Sequence, residues 1–249
     1  MQRTSTPINE FGVLWEKQGS FFTGVDKPGD YVVEVRRTAF SGRFVLAHEL
    51  AHRIVDKYMP SEQLASLDVR NLKLVVDDVA SHILLPSELL LLALGPKREM
   101  TLELPLLVLF QRTLRVTLSC LIKRLSDLVE ERQLVVRNCA LVAAPAVSTK
   151  HKTNYAPRVV VSCTPKEWFL PPNKRLASLG LSSLLYLWNT VPPFKQSNAE
   201  DIISIWRRSD WRKITTSQRF DYIFYEPEER RRVMLATFGC PSDFDNVSI

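Results

Sequence analysis

The residues best suited to chemistry in this 249-residue chain are two histidines around a glutamate, in the pentapeptide His48-Glu49-Leu50-Ala51-His52. Four residues are a little over one helical turn, so both imidazoles project from one face and can bind a single Zn²⁺. Zinc lowers the pKa of a coordinated water to about 7 and polarises a carbonyl group. Glu49 lies beside the ligands and can move a proton from that water to a leaving amine. The motif therefore predicts His48 and His52 as metal ligands and Glu49 as the catalytic base.

A zinc site of this kind needs a third protein ligand, commonly a carboxylate on a later helix. The sequence offers Asp77 and Asp78 within an otherwise apolar run. Adjacent side chains point about 100° apart on a helix, so one carboxylate can face the metal while the other orients a histidine or meets solvent. The alternative is a pair of solvated acids on the outer face of the helix, one of them paired with Lys73.

The elements that must position these residues follow a strand-then-helices order. Residues 10–36 alternate turn residues with short β-prone runs, of which residues 31–35 are the best strand. From Arg43 the apolar pattern becomes helical, and this helix should end before Pro60. Further helices are predicted near residues 61–69, 72–85, 104–112 and 118–131, with a short leucine-rich helix after residue 86. This order predicts an α+β domain over residues 1–138.

The composition changes after residue 138. Residues 139–157 include Pro, Ser, Thr and Lys and are predicted to be a linker. Residues 158–249 hold four of the five tryptophans, which favours a second packed domain rather than a tail. We predict a strand at residues 158–163 and helices near residues 176–187 and 199–208. The second domain is therefore predicted to be a smaller α+β unit.

Charge and cysteine usage restrict the partners and the compartment. The formal net charge is +6, which permits an acidic partner, but a solvated basic face is the commoner explanation. No base-reading motif is present, so direct nucleic-acid binding is not expected. The four cysteines form no CxxC pair, and the N-terminal residues lead into no apolar signal core. The richest apolar run, residues 83–94, is too short to span a bilayer. We predict a cytoplasmic protein with reduced thiols and no membrane contact.

The chain resembles the ImmA/IrrE-type zinc metallopeptidases of bacteria and phages. Residues 43–52 are similar to the family sequence RFTLAHELGH, residues 77–86 to its helix ending in LLMP, and residues 110–125 to the helical segment that follows. The resemblance covers about residues 10–135. It implies a zincin-like metallopeptidase fold for residues 1–138, with a small β-sheet, the HExxH helix and a helical bundle. A C-terminal domain of unknown role follows at residues 158–249.

One position departs from the family pattern. Aligned on Pro86, Val75 stands where the family has its metal-binding glutamate, and Asp77 falls on an Asn/Asp position. Asp78 lies one turn after Val75 on the same face and is predicted to supply the third carboxylate, with Asp77 beside the ligands. If Asp78 does not compensate, zinc would bind to two histidines and the site would be weak or inactive.

The resemblance implies a zinc-dependent endopeptidase for regulatory proteolysis, whose protein substrate would be a DNA-binding repressor-type transcription regulator. The alternative hypothesis is a degenerate metallopeptidase-like domain that acts as a binding or regulatory module. A third hypothesis, direct DNA binding by residues 101–131 as a helix-turn-helix, is disfavoured because this segment lacks a polar recognition face. Metal content and the activity of a Glu49→Gln variant separate the first two hypotheses.

Overall fold

The computed structural model describes residues 6–8, 11–16, 23–24, 32–36, 41–145, 156–225 and 233–241. These residues form helices and strands in an α+β arrangement, which confirms the predicted class. Their contacts divide the chain into two compact units. Unit 1 contains the described residues up to Pro86 together with Arg115–Thr117, and unit 2 contains Ser87–Leu114 and the described residues from Leu118 onward.

Unit 1 begins with a four-stranded sheet whose strands lie in the order β1-β2-β4-β3. The strands are β1 (Thr6–Ile8), β2 (Phe11–Glu16), β3 (Thr23–Gly24) and β4 (Val32–Arg36). β2 and β4 are parallel, and the other two pairs are antiparallel. β4 confirms the strand predicted at residues 31–35.

Three helices follow in unit 1, and local signals explain their limits. They are α1 (Ser41–Tyr58), α2 (Ser61–Ser66) and α3 (Val69–Leu84). α1 ends before Pro60, as predicted, because proline lacks the N–H that would continue the helix. Asp68 caps the start of α3, because its carboxylate accepts a hydrogen bond of 2.7 Å from Asn71 N.

Small side chains allow α1 and α3 to pack closely. Ala47 and Ala51 on α1, and Val76 and Ala80 on α3, are almost fully buried in one cluster. Residues 48 and 52 each follow one of these alanines, and residue 77 follows Val76. The sequence neighbours of the buried residues therefore lie at the edge of the helix–helix interface, where side chains of α1 and α3 can meet.

Unit 2 starts with the helices α4 (Ser87–Leu94), α5 (Leu104–Leu114) and α6 (Leu118–Glu130). Two short strands, β5 (Glu99–Met100) and β6 (Val135–Val136), pair in parallel beside them. The buried guanidinium of Arg124 donates to Asp127 Oδ2 at 2.9 Å and to Ser87 Oγ at 2.7 Å. The Arg124 guanidinium therefore connects α6 to the start of α4. Its hydrogen bonds to Asp127 and Ser87 offset the desolvation penalty of burying the charge.

None of the described helices alone is long and apolar enough to cross a membrane. α5 and α6 together meet that condition by length and composition, but they are bent by 108° to one another.

The rest of unit 2 is built on a six-stranded antiparallel sheet in the order β8-β7-β12-β11-β10-β9. The strands are β7 (Cys139–Pro145), β8 (Pro157–Cys163), β9 (Trp168–Phe169), β10 (Gln196–Arg207), β11 (Lys213–Tyr225) and β12 (Val233–Phe238). A large apolar cluster joins this sheet to the helix α7 (Ser182–Thr190). β8 confirms the strand predicted at residues 158–163.

Residues 139–145, placed at the start of the predicted linker, are instead an interior strand. Leu141 and Ala143 belong to the apolar cluster, and the intervening Val142 is fully buried as well. β7 is thus buried on both faces and pairs with β8 and β12, while α6 packs against β7 and β8. The boundary between the two compact units falls at residues 86 and 87, inside the segment 1–138. Residues 146–155 of the predicted linker lie outside the described residues.

The prediction of a helix near residues 199–208 is wrong, because residues 199–207 belong to strand β10. β10 pairs with β11 over nearly its whole length, from Gln196 with Ile223 to Trp206 with Lys213. Ile203 is fully buried while its neighbour Ile202 is 52% exposed, which is the alternation of a strand. Pairing with β11 stabilises the extended conformation of this segment. β-branched isoleucines are favoured in strands.

The helix predicted near residues 176–187 is divided in two. A short 3₁₀ turn, Ala177–Leu179, precedes α7, and Gly180 separates them with a φ of +90°. This backbone conformation is left-handed and cannot continue a right-handed helix. α7 then begins where the Asp201 carboxylate accepts a hydrogen bond of 2.9 Å from Leu184 N.

Candidate metal centre

Helix α1 brings together the three residues of the pentapeptide that carry metal-binding groups. Within the described part of the chain, His48, Glu49 and His52 offer one ligand atom each, and these atoms all lie within 4.8 Å of one another. The two imidazole rings meet edge-on, with 4.8 Å between their centroids. All three residues are half-buried, so an ion from solvent can reach them. This grouping follows from the i, i+4 spacing on α1.

Asp77 on α3 lies against the first of these histidines. Its Oδ1 is 2.9 Å from His48 Nδ1, and its Oδ2 is 2.7 Å from Lys73 Nζ. The His48–Asp77 contact is close but is not aligned as a hydrogen bond, and neither of these two buried atoms has another hydrogen-bond partner. Because Nδ1 of His48 faces Asp77, Nε2 is the nitrogen that remains for a metal ion.

Asp78 is placed differently from Asp77. It is not a member of the group formed by His48, Glu49 and His52 within the described residues. Its Oδ2 lies 4.0 Å from His82 Nδ1, and its backbone oxygen lies 2.9 Å from the same nitrogen. Successive helical residues point about 100° apart, so with Asp77 facing His48, Asp78 is turned away from that contact. The structure therefore does not bring Asp78 to the histidines as a third donor.

Val75 occupies the position at which the resembled family has a glutamate ligand. Its side chain is half-buried and packs against the apolar cluster between α1 and α3. An alkyl side chain has no donor atom, so residue 75 contributes packing rather than coordination. The donors grouped on this face of α1 are consequently the imidazoles of His48 and His52 and the carboxylate of Glu49.

The donor set fits a divalent transition metal such as zinc. Imidazole nitrogen and carboxylate oxygen are both common zinc ligands, and a carboxylate behind a histidine ligand is the usual way to fix the imidazole. The buried His48 Nδ1 and Asp77 Oδ1, which have only each other, match that arrangement. Glu49 could complete the coordination or could act as a base beside it. The described residues thus could hold a metal ion.

Two contacts support α1 and its histidines. Phe44 lies one turn before His48, with 6.0 Å between the ring centroids. Arg43 Nη1 donates to Arg115 O at 3.4 Å, which links the start of α1 to a segment 72 residues away. The sequence pattern did not reveal this second contact because it depends on the tertiary path of the chain. The ion pair between Lys73 and Asp77 did have a local signal, the i, i+4 spacing.

No protein-family model matches the chain, and no curated protein matches it. Among solved structures, a Mycobacterium tuberculosis transcriptional regulator is similar, with a TM-score of 0.54 and 13% sequence identity. The likeness covers 92% of this chain and 75% of that chain. At this identity the likeness concerns the fold alone, because one fold carries many functions. The chain therefore shares the fold of a solved protein, and any statement on its function depends on its own residues.

Proposed function

We propose that unit 1 is a zincin-like domain with a zinc-dependent peptidase site formed by His48, Glu49 and His52. The observation that carries the proposal is the grouping of their ligand atoms within 4.8 Å on one face of α1, with Asp77 against His48 Nδ1. Two imidazoles and a carboxylate at this spacing are the recurring elements of zinc peptidases.

Each residue has a distinct role in the proposed site. His48 and His52 bind the ion, and Asp77 keeps the proton of His48 on Nδ1 so that Nε2 carries the lone pair. A bound zinc ion would supply Lewis acidity, which polarises the scissile carbonyl and acidifies a water. Glu49 accepts the proton of the attacking water on its carboxylate and delivers it to the leaving amine.

The proposed substrate is a protein, and the candidate implied by the family resemblance is a repressor-type transcription regulator. The half-buried site is compatible with a macromolecular substrate because its three side chains are reached from solvent. Cleavage of such a regulator would make the reaction a step of regulatory proteolysis.

A second candidate function is that of a degenerate site that binds metal or a partner without catalysis. It is favoured by α3, where Val75 packs into the apolar cluster and the Asp78 carboxylate faces His82. With no carboxylate from α3 at the metal, Glu49 would have to serve as the third ligand. It could not then serve as the base.

Zinc content and proteolysis of a Glu49→Gln variant test the proposal. We expect the purified chain to bind about one equivalent of zinc and to cleave a fluorogenic peptide library. Glu49→Gln should keep the zinc but lower cleavage by about 10²-fold or more, because it removes the general base. His52→Ala should lose the zinc. Glu62→Gln, an exposed change on α2, is the matched control and should behave as wild type.

The two candidate functions give different results. Zinc binding without cleavage by the wild-type chain, together with loss of zinc in Glu49→Gln, would identify Glu49 as a ligand and the site as degenerate. A wild-type chain that binds no zinc would contradict the peptidase proposal and the metal-binding form of the second candidate.

A further inference from the structure

Three aromatic side chains lie together at one corner of the six-stranded sheet of unit 2. Phe169 on β9 and Trp206 on β10 are directly paired across the strands, so their side chains lie on the same face. Trp211, between β10 and β11, meets the Phe169 ring edge-on, with 5.8 Å between centroids. Phe169 and Trp206 are half-buried, but 65% of Trp211 is exposed. We call Phe169, Trp206 and Trp211 the aromatic corner.

The turn that carries Trp211 is unusual. Arg207 N donates to Arg212 O at 2.9 Å, and Arg212 N donates to Asp210 Oδ1 at 3.1 Å. Trp211 itself has a φ of 55°, a left-handed conformation that bulky side chains avoid and that glycine or asparagine adopts at less cost. The turn alone does not account for a tryptophan here. A residue kept in an unfavourable conformation with its indole mostly exposed is a candidate functional residue.

Basic side chains border the aromatic corner. Lys213 is paired with Trp206 across the strands, and its Nζ lies 5.9 Å from the centroid of that ring. Arg212 is exposed in the turn. The guanidinium of Arg208 also lies over a ring of the corner, at 5.4 Å, but its Nη1 is 3.1 Å from Glu130 Oε2. Arg212 and Lys213 therefore supply the positive charge that an arriving ligand would meet.

We propose that the aromatic corner, with Arg212 and Lys213, binds single-stranded nucleic acid. Bases stack on Trp211, and phosphates contact the two cations. Exposed aromatic rings beside cations are the means by which proteins hold single strands without reading their sequence. Such binding needs no base-reading motif. The lack of such a motif in the sequence therefore does not argue against it. The surface lies in unit 2, and this proposal does not depend on the metal site of unit 1.

The charge and the exposed ring together favour a single strand over other anionic ligands. An acidic peptide would neutralise Arg212 and Lys213 but offers no planar base to Trp211. A duplex would present phosphates, but its base faces are stacked inside the helix. A single strand supplies both groups at once, because phosphates and unstacked bases alternate along it.

Fluorescence anisotropy of a labelled oligothymidylate of about 20 nucleotides, titrated with the full chain, tests the proposal. We expect Trp211→Ala to weaken binding about tenfold or more, the effect of one lost stacking contact. The double variant Arg212→Ala/Lys213→Ala should flatten the slope of log K against log salt by about 1.4, or about 0.7 for each lost phosphate contact. Trp211→Phe, which keeps a stacking ring, should retain most of the affinity.

The matched controls remove similar groups elsewhere in unit 2. Tyr186→Ala deletes an exposed aromatic side chain on α7, and Lys195→Ala deletes an exposed cation. Both should bind the oligonucleotide as the wild type does. Absence of saturable binding at low salt would overturn the proposal, and so would equal affinity of the wild type and Trp211→Ala. Loss of binding only in the cation variant, with equal affinity for polyglutamate, would point to an acidic protein ligand and overturn it as well.

Discussion

At the scale of single residues, the contact between His48 and Asp77 has the largest consequence for the candidate metal centre. A carboxylate 2.9 Å from Nδ1 favours the tautomer with the proton on that nitrogen, which leaves Nε2 as the nitrogen that can bind an ion. Lys73 holds the other carboxylate oxygen at 2.7 Å, which limits the positions that Asp77 can take. The orientation of His48 therefore depends on two residues of α3 that would not touch the metal.

Replacing Asp77 should weaken metal binding without removing a ligand. We expect Asp77→Asn to lower zinc affinity about 10- to 100-fold, the usual effect of losing the carboxylate behind a histidine ligand. Competition with a chromogenic zinc chelator measures this affinity. Asp78→Asn is the matched control, since its carboxylate faces His82 in the structure. A large loss in Asp78→Asn with none in Asp77→Asn would restore Asp78 as the third ligand.

At the scale of elements, long-range pairing overrode the local pattern in β10. The isoleucines at 202, 203 and 205 can be placed on a helical or an extended segment when they are considered alone. Pairing with β11 on one side and with β9 on the other stabilises the extended conformation. By contrast, α1 ends where the sequence predicts, because Pro60 acts within one turn of the helix end. α3 begins at Val69 rather than at residue 72, because the Asp68 carboxylate caps it there.

Gly95 and Gly180 of unit 2 both have a positive φ. Replacing each with alanine tests whether the close approach of Gly180 to β10 stabilises the break before α7. A Cβ at Gly180 would lie 2.8 Å from the backbone oxygen of Ile202, whereas a Cβ at Gly95 would meet nothing within 4 Å. Both alanine variants should lose about 1–2 kcal/mol for the positive φ. Gly180→Ala should lose about 1 kcal/mol or more beyond this, because the strand backbone must move. Equal losses in the free energy of unfolding for the two variants, measured by urea denaturation, would show that the backbone of β10 shifts without a free-energy penalty.

At the scale of the whole molecule, the two compact units carry different chemical groups. Unit 1 holds the imidazole and carboxylate donors, and unit 2 holds the aromatic corner and three buried thiols. Burial raises the pKa of the Cys120 thiol from 9.0 to about 11 and raises the pKa values of Cys139 and Cys163 as well. These thiols are therefore neutral in the folded protein at neutral pH and behave as apolar groups.

Alkaline pH should destabilise unit 2 through these thiols. A pKa that is higher in the folded state gives stability that is complete below the unfolded value and is lost as pH rises toward the folded value. For Cys120 this loss occurs between pH 9 and about 11 and amounts to roughly 2–3 kcal/mol in the free energy of unfolding. Urea denaturation across this range should show a shallower decline for Cys120→Ala than for the wild type. Parallel declines would show that Cys120 ionises as easily in the folded state as in the unfolded state.

Features that depend on a few neighbouring residues can be predicted from the sequence. Helical spacing is local, so the grouping of His48, Glu49 and His52 on one face of α1 could be predicted, as could the ends of the helices near Pro60 and Pro86. The α+β class followed from the order of these elements.

The partners that those elements contact depend on the tertiary fold. Asp77 rather than Asp78 reaches His48 because close packing at alanines of α1 sets the register between α1 and α3. The aromatic corner joins Phe169 to Trp206 and Trp211 through pairing of β9 with β10, two strands that are far apart in sequence. Contacts of this kind depend on the relative placement of whole elements, and a periodicity within one element carries no information about it.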